Sequence, residues 1–448
     1  MKLVYNVNDK PPIGRLIIFS LQQLMSILAA TILVPLLVTS VTGRQMDTAA
    51  ALMGAGIGTL IYLLFTRRKS PVFIGSSFAF LGALYTAMAD YGFIGLLIGG
   101  VLAGLVYVVV ALCIKFAGVN WLNKLLPPVI IGPTVTLIGL SLAGSAMGNL
   151  QNTAASPAGY SLVHILVGLG AFAITILCST YGKKTIKLVP FIIGIVGGYV
   201  IAAILSIIGN AAGIPELQLI NFEAFEALKL TNIFSLPDFT FVNAIDEAKN
   251  FDWGAIGALA LLYCPVAFVA IAEHIADHKN LSSIIEKDLI TDPGLHNSLM
   301  GDGVATMVGS VIGGCPNTTY GESVGCVAVT RNASIYSIIG AAFAAILLAF
   351  FKPFVIFAQT IPACVIGGVC IALYGFIAVS GLKMIQSVDL NKNKNLFVVA
   401  AILIPGIGGL TLKFGDVANP VVTITSIATA LILGILVNAV LSRAKEEE

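Results

Sequence analysis

Long apolar runs separated by short polar and basic clusters dominate the 448-residue chain. Fourteen runs are of a length suited to a bilayer. They lie near residues 15–38, 48–66, 71–89, 93–114, 128–147, 161–181, 188–209, 253–273, 298–314, 315–330, 333–351, 362–382, 396–412 and 420–442. A polar segment, 210–252, divides them seven and seven. Seven is odd, so the second half enters from the opposite side, and halves sharing one fold are inverted repeats. The pattern predicts an all-α polytopic membrane protein of 14 transmembrane segments arranged as 7+7 inverted repeats. The first repeat covers 15–210 and the second 253–442, joined by an extracytoplasmic linker at 211–252 and flanked by cytoplasmic termini at 1–14 and 443–448.

The helical pattern breaks at matching places in the two halves. The third run opens Pro71, Val72, Phe73, Ile74, Gly75, Ser76, Ser77, Phe78. The tenth opens Cys315, Pro316, Asn317, Thr318, Thr319, Tyr320, Gly321, Glu322. Each has a Pro, a Gly four or five residues later, and a small polar or aromatic cluster. Val72, Phe73, Ile74 and Thr318, Thr319, Tyr320 favour extended backbone. Short strands in segments 3 and 10, each leading into a half-helix, are expected, as in the broken helices of transporters. Two Gly-kinked helices are the alternative.

Composition narrows the class. The chain is 58% hydrophobic and 10% charged, with a mean hydropathy of +0.98, which excludes a soluble globular domain. Its 46 glycines suit close helix approach in lipid. With the N-terminus inside, 19 of the 24 Lys and Arg fall on the inner side; only Arg44, Lys229, Lys249, Lys352 and Lys413 fall outside. The bias supports the span count and cytoplasmic termini. The acidic linker then lies outside, as a simple connector or along the membrane surface. The seven cysteines form no CxxC pair, and disulfide and zinc readings give way to buried apolar packing. No removable signal peptide is expected in the polar N-terminus, and no soluble regulatory domain after the last run.

Two carboxylates lie at membrane depth, where a charge is costly and usually functional. Glu273 ends the run 253–273, and Asp277 follows one turn later on the same face. Like charges there favour protonation of one of the pair, so these two are the proton-coupling candidates. His278 and Lys279 read as a solvated helix end, and His274 as contacting a neighbouring loop. Glu322 lies in the broken tenth segment. Gly321 before it permits close approach of a planar ligand to the main chain. A helix starting near Ser323 aims its positive end into the same space. Asn317 is expected to tie down backbone, and Phe78 offers an aromatic face. The sum is a small, planar, N–H-bearing solute such as a nucleobase. No G-x-x-x-x-G-K-[ST] loop is present, so the energy source is an ion gradient or none. Nothing implies a cofactor, a metal or a nucleic-acid partner.

The run from Pro316 through Gly321, Glu322 and Gly325 to Thr330 and Arg331 resembles the signature of the nucleobase–ascorbate transporter (nucleobase:cation symporter-2) family. Gly-Glu, where the xanthine and urate branch has Gln-Asn, is similar to the uracil permease branch. Ala272-Glu273-His274, the stretch 75–80 and the stretch 287–296 carry the same likeness. The resemblance implies a core domain (segments 1–4 and 8–11), a gate domain (5–7 and 12–14) and a homodimer joined through gate domains. It implies proton-coupled uracil import across the cell membrane by alternating access. It implies substrate binding by Glu273, Glu322, Phe78, Gly321, Tyr320 and Ala30, with Asn317, Pro316 and Gly75 shaping the site. Two departures bear on coupling: Gln22-Gln23 stands where many members have Gln-His, and Asp277 where some uracil permeases have His. A xanthine or guanine permease is the alternative within the family. An anion transporter on the same fold is less favoured, and an enzyme least, since neither HExxH nor GxSxG occurs.

Overall fold

The computed structural model describes residues 3–151, 159–183, 186–226, 228, 232–415 and 420–442. The expected C-terminal segment 443–448 and residues 1–2 of the N-terminal one lie outside the described residues. The first half holds α1 (Ile13–Thr42), α2 (Thr48–Phe65), strand β1 (Ile74–Ser76), α3 (Leu81–Ala117), α4 (Asn120–Leu125), α5 (Pro128–Ser141), α6 (Ala143–Gln151), α7 (Leu162–Tyr181) and α8 (Pro190–Ala212). The linker adds α9 (Glu223–Glu226) and α10 (Thr240–Glu247). The second half holds α11 (Ile256–Ile285), α12 (Leu295–Gly313), β2 (Asn317–Thr319), α13 (Gly321–Thr330), α14 (Ile335–Ala349), α15 (Lys352–Gln359), α16 (Ala363–Ile385), α17 (Asn393–Ile407), β3 (Leu412–Gly415), β4 (Pro420–Ile424) and α18 (Ser426–Leu441).

Among the described residues, eight helical stretches are long and apolar enough to cross a membrane, and α14, α17 and α18 are shorter apolar helices. The chain is a multi-pass membrane protein. The helical part of the third apolar run and the fourth run fall in one continuous element, α3, broken at Gly92 (φ 69°, ψ −154°). Only glycine adopts that backbone without strain, and a Cβ there would also strike the Glu247 carboxylate and the Arg44 guanidinium. At the other end of the chain the expected helices are shortened. Residues 412–415 and 420–424 form an antiparallel hairpin instead, with Leu412 opposite Ile424. Pro420 followed by the β-branched Val421, Val422, Thr423 and Ile424 favours extended backbone over helix.

The helices pack in two groups. One is built from α1, α2, α3, α11, α12 and α14, the other from α5, α7, α8, α16, α17 and α18. Glycines let the first group close: a Cβ on Gly54 would meet the Gly309 carbonyl oxygen at 3.0 Å, and one on Gly303 the Gly104 carbonyl oxygen at 2.8 Å. The linker is docked on the first group. Glu247 pairs with Arg44 and accepts from the Ile94 N–H at 3.1 Å, the first turn after the Gly92 break. The Asp238 N–H donates to Asp47 at 2.6 Å, and Lys352 N–H donates to the Ile233 carbonyl at 2.8 Å. The linker therefore does more than connect: it fastens the loop after α1 to the kink in α3.

Candidate functional site

The two breaks read from the sequence meet each other. β1 and β2 are antiparallel, with Ile74 opposite Thr319, Gly75 opposite Thr318 and Ser76 opposite Asn317. Each strand lies within two residues of its expected place. Ser77 N–H donates to the Pro316 carbonyl at 2.9 Å and Tyr320 N–H to the Phe73 carbonyl at 3.2 Å, so the main chain of each break is satisfied by the other. Thr59 Oγ1 donates to the Ile74 carbonyl and accepts from its N–H, both at 3.1 Å. Gly75 is required by its neighbour: a Cβ there would lie 2.6 Å from the Tyr320 ring. Tyr320 is fixed in turn, donating from its hydroxyl to the Ser76 carbonyl at 3.1 Å, with Thr31 Oγ1 at 3.2 Å.

Helical structure restarts after each strand, at Phe78 and at Gly321. The first N–H groups of a helix have no partner within it and carry the positive end of its dipole. Here they flank a cavity of about 390 Å³. Its lining brings together five expected residues, Glu273, Glu322, Phe78, Gly321 and Tyr320, and the coupling candidate Asp277. Asp277 Oδ2 accepts from Thr319 Oγ1 at 2.8 Å. A Cβ on Gly321 would sit 3.6 Å from Asp277, so the α13 N-terminus and the α11 carboxylate share one space. The Phe78 ring meets Tyr374 of α16 edge to face at 5.9 Å, closing the cavity between the two helix groups. Lys187 is the one basic residue among the described lining residues, against three carboxylates.

Other expectations are revised. Ala30 is buried in α1 and is not among the lining residues; Ser26, one turn earlier, is. Pro316, Asn317 and Gly75 stand behind the cavity wall. Asn317 donates to the Ala305 carbonyl at 3.2 Å and the Gly54 carbonyl at 3.4 Å, and its own carbonyl accepts from Thr306 at 2.8 Å. His274 contacts no loop: it is fully buried against α12, with Nδ1 2.7 Å from Asp302 Oδ2. His278 is not part of a solvated end. It is 1% exposed, with Nε2 2.8 Å from the Tyr62 hydroxyl, while Lys279 is exposed as expected. A helix whose flank is covered by α2 and α12 keeps polar residues dry past its apolar run. Gln23 is buried and joined to Ser323, which donates to its Oε1 at 3.2 Å and accepts from the Phe73 N–H at 2.9 Å.

Sequence reasoning missed Ser77, Thr318, Val135 and Phe376, which also line the cavity. The first two sit inside the breaks already singled out. Val135 and Phe376 come from the second helix group and look like any apolar residue of a membrane helix. Among the described residues no group of His, Cys, Asp and Glu is placed to hold a metal ion.

Paired broken helices around a carboxylate-lined cavity in a polytopic helical protein are the architecture of a secondary transporter. Residues 14–414 match the family described as "Permease family". The chain belongs to this family, the nucleobase:cation symporter-2 transporters. It is 41% identical to the uracil permease of Bacillus caldolyticus, covering 98% of this chain and 95% of that one. It is 38% identical to the uracil permease of Bacillus subtilis (strain 168), covering 100% and 97%, and 34% identical to that of Escherichia coli (strain K12), covering 91% and 88%. These relatives are permeases, not enzymes. Among solved structures, the transmembrane domain of the cyanobacterial bicarbonate transporter BicA shares the fold, with a TM-score of 0.59 at 14% identity over 97% of this chain and 100% of that one. SLC26A9 gives a TM-score of 0.65 at 10% identity over 96% and 66%.

Proposed function

We propose that the protein imports uracil across the cell membrane, coupled to protons, by alternating access. The observation that carries this reading is the meeting of Glu273, Glu322 and two helix N-termini around one cavity. Uracil is flat and neutral, with ring N–H donors and carbonyl acceptors. Glu273 and Glu322 accept from the N–H groups, the first N–H groups of the helices starting at Gly321 and Phe78 donate to the carbonyls, and the Phe78 ring packs on the base. Three carboxylates in one cavity repel, so one of them takes up a proton with the substrate. Glu273 is the coupling group, with Asp277 one turn away. Uracil permease relatives of nearly the same length support the substrate.

On this reading the chain makes fourteen crossings as two inverted repeats, with both termini cytoplasmic. The group α1–α3 with α11–α14 is the core domain and the group α5–α8 with α16–α18 the gate domain. Two copies associate through their gate domains. The packing of helices into two groups, with the cavity between them, supports the division.

The test is labelled-uracil uptake into proteoliposomes with and without an inward proton gradient, with excess unlabelled uracil or xanthine. Accumulation that needs the gradient and yields only to uracil is expected. Equal competition by xanthine moves the substrate to purines, and uptake indifferent to the gradient removes the coupling.

A further inference from the structure

Behind the cavity, on a neighbouring face of α11, lies a polar cluster that substrate binding does not use. His274, Asp302 and Ser298 are each 0% exposed. The hydrogen bonds fix where the protons sit. Ser298 donates its hydroxyl hydrogen to the Leu295 carbonyl at 3.1 Å, so its oxygen accepts from His274 Nε2, 3.0 Å away. Nε2 thus carries a hydrogen. On the other side, His274 Nδ1 and Asp302 Oδ2 are 2.7 Å apart and share one proton between them. That proton makes either an imidazolium facing a carboxylate or a neutral imidazole accepting from a carboxylic acid.

Three observations choose the second arrangement. Asp302 Oδ1 has no hydrogen-bond partner among the described residues. An ionised carboxylate would leave that oxygen bare in a dry interior, whereas an acid leaves only a carbonyl. The His274 and His278 rings stack, with centroids 4.0 Å apart and planes 19° apart, which penalises a cation on either. His278 Nδ1 donates to the His274 carbonyl at 2.9 Å, and its Nε2 lies 2.8 Å from the Tyr62 hydroxyl, which donates to Ser70 Oγ at 2.8 Å, and 3.3 Å from that Ser70 Oγ. The other titratable groups around Asp302 are Tyr62 on α2, Tyr107 on α3, and Glu273 and Asp277 on α11, none of them a cation.

We propose that Asp302 is held as a neutral carboxylic acid donating to His274 and that this uncharged pair is a positioning device: it fixes the rotation of α11 that presents Glu273 and Asp277 to the cavity. His274 and His278 are one turn apart, so α12 and α2 each hold one of them. The pair keeps its proton throughout the transport cycle, and the charge that changes is confined to the cavity carboxylates. The role in positioning rests on the transport reading above; the protonation of Asp302 does not.

Two measurements test it. Infrared difference spectroscopy on the purified full-length protein reads the C=O stretch of a protonated carboxylic acid. A band constant from roughly pH 5 to 9 and missing in Asp302→Asn is expected, while a band that vanishes with rising pH, or its absence, overturns the assignment. In proteoliposomes, Asp302→Asn reproduces the neutral donor. It should keep uptake within about threefold, with the same pH profile and the same protons per uracil, whereas His274→Ala and Asp302→Ala should lose roughly tenfold or more. A shifted pH profile or altered proton count in Asp302→Asn would show that Asp302 titrates during transport. If no variant and no parent takes up uracil, the infrared result still decides the protonation state.

Discussion

Thr319 of β2 donates a 2.8 Å hydrogen bond to Asp277 of α11, tying the broken tenth segment to the helix that carries the proposed coupling carboxylates. Thr319→Val keeps the shape of the strand and removes the donor, so the Asp277 carboxylate is no longer held toward the α13 N-terminus. Uracil uptake into proteoliposomes should fall several-fold, the scale of one lost hydrogen bond to a charged group. Uptake equal to the parent's would mean that this bond does not position Asp277 for transport.

Glu273 and Glu322 line one cavity but take different parts in the proposed cycle. Glu273→Gln keeps hydrogen-bonding capacity and cannot change charge. It should bind uracil while losing gradient-driven accumulation, compared by equilibrium binding and proteoliposome uptake. Glu322→Ala should weaken binding itself by roughly tenfold to a hundredfold, the cost of a lost charged hydrogen bond. Accumulation by the first variant or normal affinity in the second removes the corresponding role.

Gly75 faces the Tyr320 ring with no room for a methyl group. Gly75→Ala should force the ring away from the Ser76 carbonyl and open the β1–β2 contact. Overpacking of this kind costs about 1–3 kcal/mol. Thermal unfolding in detergent should fall accordingly, and uracil should stabilise the variant less than the parent.

Asn317 is not among the residues lining the cavity. Its amide bridges the Gly54 and Ala305 carbonyls, and Gly58 and Gly309 leave space for it. Asn317→Ala removes both bonds and leaves the space beside Gly58 and Gly309 unfilled, at about 1–3 kcal/mol of stability. The expected result is a lower unfolding temperature with uracil affinity in the folded fraction nearly intact. A large affinity loss without destabilisation would place Asn317 in contact with substrate.

Much of this arrangement was legible because membrane sequences punish exceptions. Pro316, Gly75 and Gly321 interrupt apolar runs, and Glu273 and Glu322 are charges where charges are costly, so each announces itself. What stayed hidden depends on partners from distant parts of the chain. The strands were expected at 72–74 and 318–320 but lie at 74–76 and 317–319, because register is set by the opposite strand and by Thr59. His278 follows the apolar run among polar neighbours, and the residue that covers it, Tyr62, is 216 positions away in the chain. Val135 and Phe376 could not be told from lipid-facing residues by composition. The hairpin 412–424 was legible in its β-branched residues but was absorbed into runs defined by hydropathy alone.

The β1–β2 ladder has one further consequence. Each strand is only three residues long, and its partner comes from the other half of the polypeptide. Neither half can complete its own broken segment, so a fragment ending in the linker would expose unpaired peptide groups at the depth where lipid can least accommodate them. The two halves must therefore meet before either broken segment is complete. A change of substrate is open to side chains around and within the ladder, such as Ser76 and Thr318, so long as the main-chain pairing is kept.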